Sequence, residues 1–109
     1  MKLLSSFTFG ALRNLPASLD VVEVSEAEVI RLLTIGTLEP SIGHPSLAKV
    51  LSRRLGIRVT AKRETLSFGR GDRLMVAQLF GFTRQAEGKI LTAAELESCT
   101  LRYLQISIK

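Results

Sequence analysis

The only histidine of the chain lies in the tetrapeptide Gly43-His44-Pro45-Ser46, directly before a helical pattern. Proline favours an extended conformation in the residue before it, so we expect His44 at the N-terminus of that helix. A helix start has free amides and partial positive charge, Gly43 allows close approach to the backbone, and Ser46 adds a hydroxyl. A phosphate suits such a place. The imidazole could move a proton at a phosphodiester near neutral pH, or could simply end the helix as a cap.

A second group of polar residues accompanies a predicted central strand at residues 74–82. Arg84 can hold a phosphate through two hydrogen bonds and stabilise its charge. Glu87 can orient an imidazole or favour its protonated form. Gln78 lies inside the apolar strand and needs a hydrogen-bond partner, in a ligand or in the sheet. An exposed turn is the simpler explanation of Arg84 and Glu87 when only the local sequence is considered.

The net charge of +5 is concentrated in residues 49–73, which carry eight basic and two acidic side chains. The acidic ones are Glu64 and Asp72, and the basic ones are Lys49, Arg53, Arg54, Arg58, Lys62, Arg63, Arg70 and Arg73. This surplus suggests a polyanionic partner or a solvated face. The six aromatic residues are not interleaved with it, so a stacking platform for single-stranded nucleic acid is not indicated.

Length and composition restrict the class of protein. A chain of 109 residues with 46% hydrophobic residues predicts one compact domain over residues 1–109. No apolar run suits a membrane span, and the first residues lack a signal-peptide pattern, so we expect no membrane association and a cytoplasmic location. Because the chain has one histidine and one cysteine (Cys99), a His/Cys metal site is improbable, and no cofactor is indicated.

Hydrophobic periodicity predicts an α/β chain with a mixed β-sheet covered by helices. Strands are expected at residues 2–9, 21–24, 57–67, 74–82 and 101–108, with a further short strand between the first two helices. The "GRGD" stretch is expected to form a hairpin turn.

Three helices are predicted from their end signals. Capping boxes at residues 25–28 and 92–95 would open the first and the third. Pro45 suits the first turn of the second helix, and Gly56 suits its end. The apolar stripe of this second helix consists of Leu47, Val50, Leu51 and Leu55.

Three stretches together carry a family resemblance. They are "SIGHPSLAKVLSRRLG", "KRETLSFGRGDRLMVAQL" and "RQAEGKILTAAEL". In order and spacing they resemble the small viral and prophage type III anti-CRISPR ring nucleases, their cellular ring-nuclease relatives, and related crenarchaeal-virus proteins formerly classed as a domain of unknown function. The match extends from the first strand nearly to the C-terminus.

The resemblance implies a mixed sheet flanked by helices, a homodimer, and metal-independent cleavage of cyclic tetra-adenylate. This ring is the second messenger of type III CRISPR defence. His44 would be the general acid for the leaving 5′ oxygen, Glu87 would assist it, and Arg84 would hold the phosphate. Arg63 and Gln78 would contact the ligand. The 2′ hydroxyl of the substrate would be the nucleophile, giving linear products with 2′,3′-cyclic phosphate ends.

The first segment departs from the family pattern. Ser5 and Thr8 stand where many relatives have an asparagine and a serine, and are expected to contact the ring. Two other functions stay open: a basic dimer that binds DNA through residues 49–73, and a non-catalytic binder of cyclic oligoadenylates. The nuclease would act in immune evasion in the host cytoplasm if viral, and in signal shut-off if cellular.

Overall fold

A computed structural model describes residues 1–80 and 100–109 of the chain. The strands are β1 (Lys2–Leu4), β2 (Leu19–Val24), β3 (Glu39–Ser41), β4 (Arg73–Phe80) and β5 (Thr100–Ile108), and the helices are α1 (Glu26–Thr34) and α2 (Pro45–Leu55). Neither of these helices has the length and apolar character that crossing a membrane requires. The predicted third helix, Cys99, Arg84 and Glu87 lie outside the described residues.

The five strands form one mixed sheet in the order β2-β5-β4-β1-β3. β1 runs parallel to both β3 and β4, and β5 runs antiparallel to β2 and β4. This confirms the predicted α/β class. Leu4 is in register with Ser41 on one side and with Val76 on the other. The carboxyl ends of β1 and β3 therefore meet at one edge of the sheet, which is where ligands bind in many α/β proteins.

The two faces of the sheet are covered differently. Both described helices pack on the face that includes Leu3, Met75 and Tyr103, where the apolar stripe of α2 is buried. The opposite face holds a second cluster, covered by irregular chain rather than by a described helix. Its buried members are Leu4, Phe68, Leu74, Val76, Ile106 and Ile108.

The helix ends follow the predicted signals, with one difference. The Ser25 hydroxyl caps α1 by accepting the Glu28 N–H at 3.2 Å. Glu28 does not complete the box at Ser25, since its carboxylate accepts a hydrogen bond from Arg31 Nε at 2.9 Å. Pro45 is the first residue of α2, and Gly56 ends it in the left-handed conformation with φ 67°.

The predicted strand at residues 57–67 is wrong. That segment makes one bridge, between Ala61 and Ile42, and the Lys62 N–H donates to the Ile42 carbonyl at 2.8 Å. The neighbouring edge strand β3 is three residues long and contains Pro40, which has no N–H to donate to a further strand. A sixth strand therefore has too little edge with which to pair.

Two other expectations need correction. β1 ends at Leu4 rather than at residue 9, and residues Phe9–Ala11 form a 3₁₀ turn. The "GRGD" stretch does turn, with the Asp72 N–H donating to the Gly69 carbonyl at 3.1 Å and Gly71 at φ 93°. It leads from irregular chain into β4, so it is not a hairpin between paired strands.

Candidate functional site

The side chain of His44 caps α2. Its backbone is extended, with φ −108° and ψ 110°, as the following proline predicts. Its Nδ1 accepts a hydrogen bond from the Leu47 N–H at 3.2 Å. A ring nitrogen that accepts carries no proton, so the proton of the neutral imidazole is on Nε2. The hydrogen bond expected of a helix cap is therefore present, and Nε2 has no partner in the part of the chain that the structure describes.

The start of α2 offers fewer free amides than the sequence suggested. Pro45 has no N–H, the Leu47 N–H is taken by His44 Nδ1, and the Ala48 N–H donates to the His44 carbonyl at 3.0 Å. Within the described chain, the Ser46 N–H is the one first-turn amide without a partner. The positive end of the helix dipole is unaffected by these contacts.

A cleft of about 190 Å³ opens at the carboxyl ends of β1 and β3. Four residues nominated from the sequence line it, namely Ser5, Thr8, Gly43 and Arg63. His44 does not itself line the cleft, but it directly follows Gly43, which does. The fold therefore places Ser5 and Arg63 in one site, although they are 58 positions apart in the sequence.

The Gly43 and Arg63 walls of the cleft pack against one another. A Cβ on Gly43 would lie 3.9 Å from both Cα and Cγ of Arg63, which is an ordinary contact distance. The residue before each of them takes part in one backbone hydrogen bond, from the Lys62 N–H to the Ile42 carbonyl, which holds the two segments together. The Arg63 guanidinium is exposed and has no partner among residues 1–80 and 100–109. It is available to an anion in the cleft.

Gln78 and Ser46 do not line the cleft. Gln78 lies beyond Val76 on β4, at a position that faces the same side of the sheet as the cleft. Its Nε2 donates to the Leu79 carbonyl at 3.2 Å, so a partner within the sheet is present. Ser46 lies in the first turn of α2 and is half-buried. The positions of Arg84 and Glu87 relative to His44 stay a prediction.

Ser41 and Glu64 also line the cleft, and neither was predicted from the sequence as a site residue. Ser41 is 6% exposed, and its hydroxyl donates to Glu64 Oε1 at 2.9 Å. Lys62 Nζ and Lys2 Nζ lie 3.3 Å and 3.7 Å from the same oxygen. The serine hydroxyl first, and then the two ammonium groups, hold the pKa of Glu64 below its usual range. The sequence did contain one sign of this site, because Glu64 is an isolated acidic residue directly after Lys62 and Arg63.

Part of the basic surplus in residues 49–73 is used within the chain. Arg54 pairs with Glu26 at 3.4 Å, and Arg70 Nε donates to the Pro16 carbonyl at 3.1 Å. Lys62 pairs with Glu64, as described above. These contacts reduce the number of cations that a single polyanion could meet.

Comparison with known proteins adds the family. No curated protein matches this chain in sequence. Among solved structures, B116 of Sulfolobus turreted icosahedral virus (STIV) aligns with a TM-score of 0.71 at 20% identity, covering 97% of each chain. This likeness shows a shared fold. The family model described as STIV B116-like matches residues 1–105. The chain therefore belongs to the STIV B116-like family, which carries the name of a viral protein.

Proposed function

We propose that this protein is a metal-independent ring nuclease that cleaves cyclic tetra-adenylate. The observation that carries the proposal is the cleft beside His44, which gathers Ser5, Thr8, Gly43 and Arg63. These residues were nominated as ligand contacts from three separate stretches of sequence. This surface combines hydroxyls, an open backbone at glycine and a guanidinium that has no partner among residues 1–80 and 100–109, and it suits a phosphodiester and its sugar.

The chemistry needs no group beyond the side chains and the substrate. The substrate 2′ hydroxyl gives its proton to solvent as its oxygen attacks phosphorus, the bond from phosphorus to the 5′ oxygen breaks, and a 2′,3′-cyclic phosphate results. His44 would give a proton to the departing 5′ oxygen. Arg63 and Arg84 would stabilise the phosphate charge, Glu87 would favour the protonated imidazole, and Gln78 would contact the ligand.

The observed cap places a condition on this mechanism. Neutral His44 holds its proton on Nε2, and giving that proton away would leave an imidazolate. The acid must therefore be the imidazolium, which carries a proton on Nδ1 as well. Protonated Nδ1 cannot accept a hydrogen bond from the Leu47 N–H. The capping hydrogen bond is therefore broken in the protonated form of His44 that acts as the acid. An anion at the helix start can accept the released Leu47 N–H and offset the loss.

The proposed setting is a homodimer in a cell that contains the cyclic oligoadenylate. A homodimer with two-fold symmetry would present the cleft twice, which suits a ring of matching symmetry. The family bears the name of a viral protein, which favours an anti-CRISPR role in the host cytoplasm over signal shut-off by a cell. The same chemistry serves either role.

The test compares two substitutions of His44 in buffer that contains EDTA. Asparagine keeps a side-chain acceptor for the Leu47 N–H but cannot act as an acid, whereas alanine removes both. We expect His44→Asn to retain the wild-type melting temperature and to lose about 10²–10⁴-fold in cleavage rate. His44→Ala should lose the same rate and about 1 kcal/mol of stability. Chromatography of the products and thermal melting provide both readouts.

Two outcomes of that test would favour the other functions. A wild-type cleavage rate in His44→Asn would mean that His44 serves only as a helix cap. A wild-type protein that binds the ring and leaves it intact would be a non-catalytic binder. DNA binding through residues 49–73 would instead appear as duplex binding that weakens steeply with salt. The internal contacts of Arg54, Lys62 and Arg70 give that alternative less support.

A further inference from the structure

The carboxylate of Glu64 is held by one of its two oxygens. Ser41 Oγ, Lys62 Nζ and Lys2 Nζ all approach Oε1, at 2.9, 3.3 and 3.7 Å. Oε2 makes no hydrogen bond or ion pair with any residue that the structure describes. Glu64 lines the cleft, and its side chain is 22% exposed. One oxygen is thus anchored, and the other has no partner in the described chain, on a residue that lines the cleft.

The anchor is rigid because of where Ser41 lies. Ser41 ends β3 in register with Leu4 of β1, and it is the buried polar residue of the described core. The sheet therefore fixes the hydroxyl, and the hydroxyl fixes the carboxylate. A group that is already ordered loses little conformational freedom when a ligand binds it.

The charge of Glu64 decides what it can contact. An ionised carboxylate accepts hydrogen bonds and donates none, so it cannot contact a phosphate oxygen favourably. Its neighbour Arg63 has the opposite chemistry and suits phosphate. The two adjacent residues together distinguish a nucleotide, which has both an anion and neutral donors, from a simple anion.

We propose that Glu64 is a specificity-determining residue, whose Oε2 accepts a hydrogen bond from a neutral donor of the bound nucleotide. This donor is either the 6-amino group of an adenine or a ribose hydroxyl. The inference rests on the proposed function, and it adds the nucleoside part of the ligand to what the cleft recognises. Glutamine at this position keeps an acceptor for Ser41 and replaces the free oxygen by a donor, which a ligand donor would not tolerate.

Binding is measured in the His44→Asn background with EDTA, so that the ligand stays intact. The titrants are cyclic tetra-adenylate, its inosine analogue, which lacks the amino group, and its 2′-deoxy analogue, which lacks the hydroxyl. We expect Glu64→Gln to weaken binding of cyclic tetra-adenylate about 10- to 100-fold. The weakening should largely vanish with the analogue that lacks the donor used by Glu64, which identifies that donor.

The control variant is Glu39→Gln. Glu39 pairs with the same Lys2, at 2.8 Å, but does not line the cleft. It should leave all three dissociation constants unchanged. Equal affinity of Glu64→Gln and its parent for cyclic tetra-adenylate, or an equal loss with all three ligands, overturns this inference alone. If the wild-type protein in EDTA neither binds nor cleaves any of the three ligands, the proposed function fails and this inference fails with it. Melting temperatures without ligand verify that each variant is folded.

Discussion

At the scale of single residues, His44 joins two roles that cannot be performed at the same moment. The cap uses the lone pair of Nδ1, and acid catalysis requires a proton on that nitrogen. The sequence located the residue correctly, because Pro45 restricts the backbone before it. It offered the cap only as one alternative, since asparagine, aspartate, serine and threonine are the usual residues there. The ring orientation that makes the contact appears only in the structure.

Glu64 provides a prediction for stability against pH. Its pKa is lowered in the folded protein, chiefly by the Ser41 hydroxyl. The stabilisation is therefore complete above the ordinary pKa of a glutamate in an unfolded chain, and it is lost as the pH falls through the lower pKa of the folded state. Urea unfolding between pH 3 and 6 should show a shallower fall for Glu64→Gln than for the wild type. Identical slopes would mean that the ion cluster contributes nothing.

Among the secondary-structure elements, the described helices were predicted correctly because their signals lie within a few residues of each other. The strand predicted at residues 57–67 was wrong because a strand also needs a partner elsewhere in the chain. Both described helices were found from residues within them or at their ends, namely Ser25, Pro45, Gly56 and the apolar stripes. The strand predicted at residues 57–67 depended on a distant partner edge, and Pro40 in β3 limits that edge. Periodicity of a segment carries no information about its partner.

The end of α2 provides a prediction with an internal control. Gly56 has φ 67°, and no atom lies within 4 Å of a Cβ placed there. Gly56→Ala should therefore cost only the strain of the left-handed conformation, about 1–2 kcal/mol. Gly10→Ala, at a glycine without positive φ and with its Cβ 3.7 Å from Thr8 Oγ1, should be close to neutral. Denaturant unfolding of both variants measures the difference, and equal losses would contradict it.

At the scale of the whole molecule, one sheet separates two cores of different construction. The helical face is what the apolar stripes predicted. The other face is covered by irregular segments that are distant from each other in sequence and contact each other in space. The Phe68 N–H donates to the Ala11 carbonyl at 2.7 Å, and the Arg13 N–H donates to the Phe68 carbonyl at 2.8 Å. The cleft lies among these irregular segments. Individual lining residues could therefore be predicted from the sequence, but their arrangement around the cleft could not.

Phe68 tests the importance of that cover. It is 8% exposed and belongs to the buried cluster of the second face. Phe68→Ala should cost about 3 kcal/mol or more, because it leaves a cavity where the irregular chain meets the sheet. Phe9→Ala, at a phenylalanine that is 78% exposed, should change stability by about 0.5 kcal/mol or less. A comparable loss in both would show that the second face adds little to the fold.

The irregular wall at residues 57–67 has a consequence for how the cleft can change shape. Of its backbone N–H groups, those of Val59 and Lys62 have acceptors in the described chain, at Ser52 Oγ and the Ile42 carbonyl, both at 2.8 Å. The bridge between Ala61 and Ile42 fixes the middle of this wall to the chain beside β3, and the contact between Ser41 and Glu64 fixes the Glu64 side chain. The rest of the wall has no strand pairing in the described chain. A different width of the cleft at those other positions would therefore leave all five strands paired.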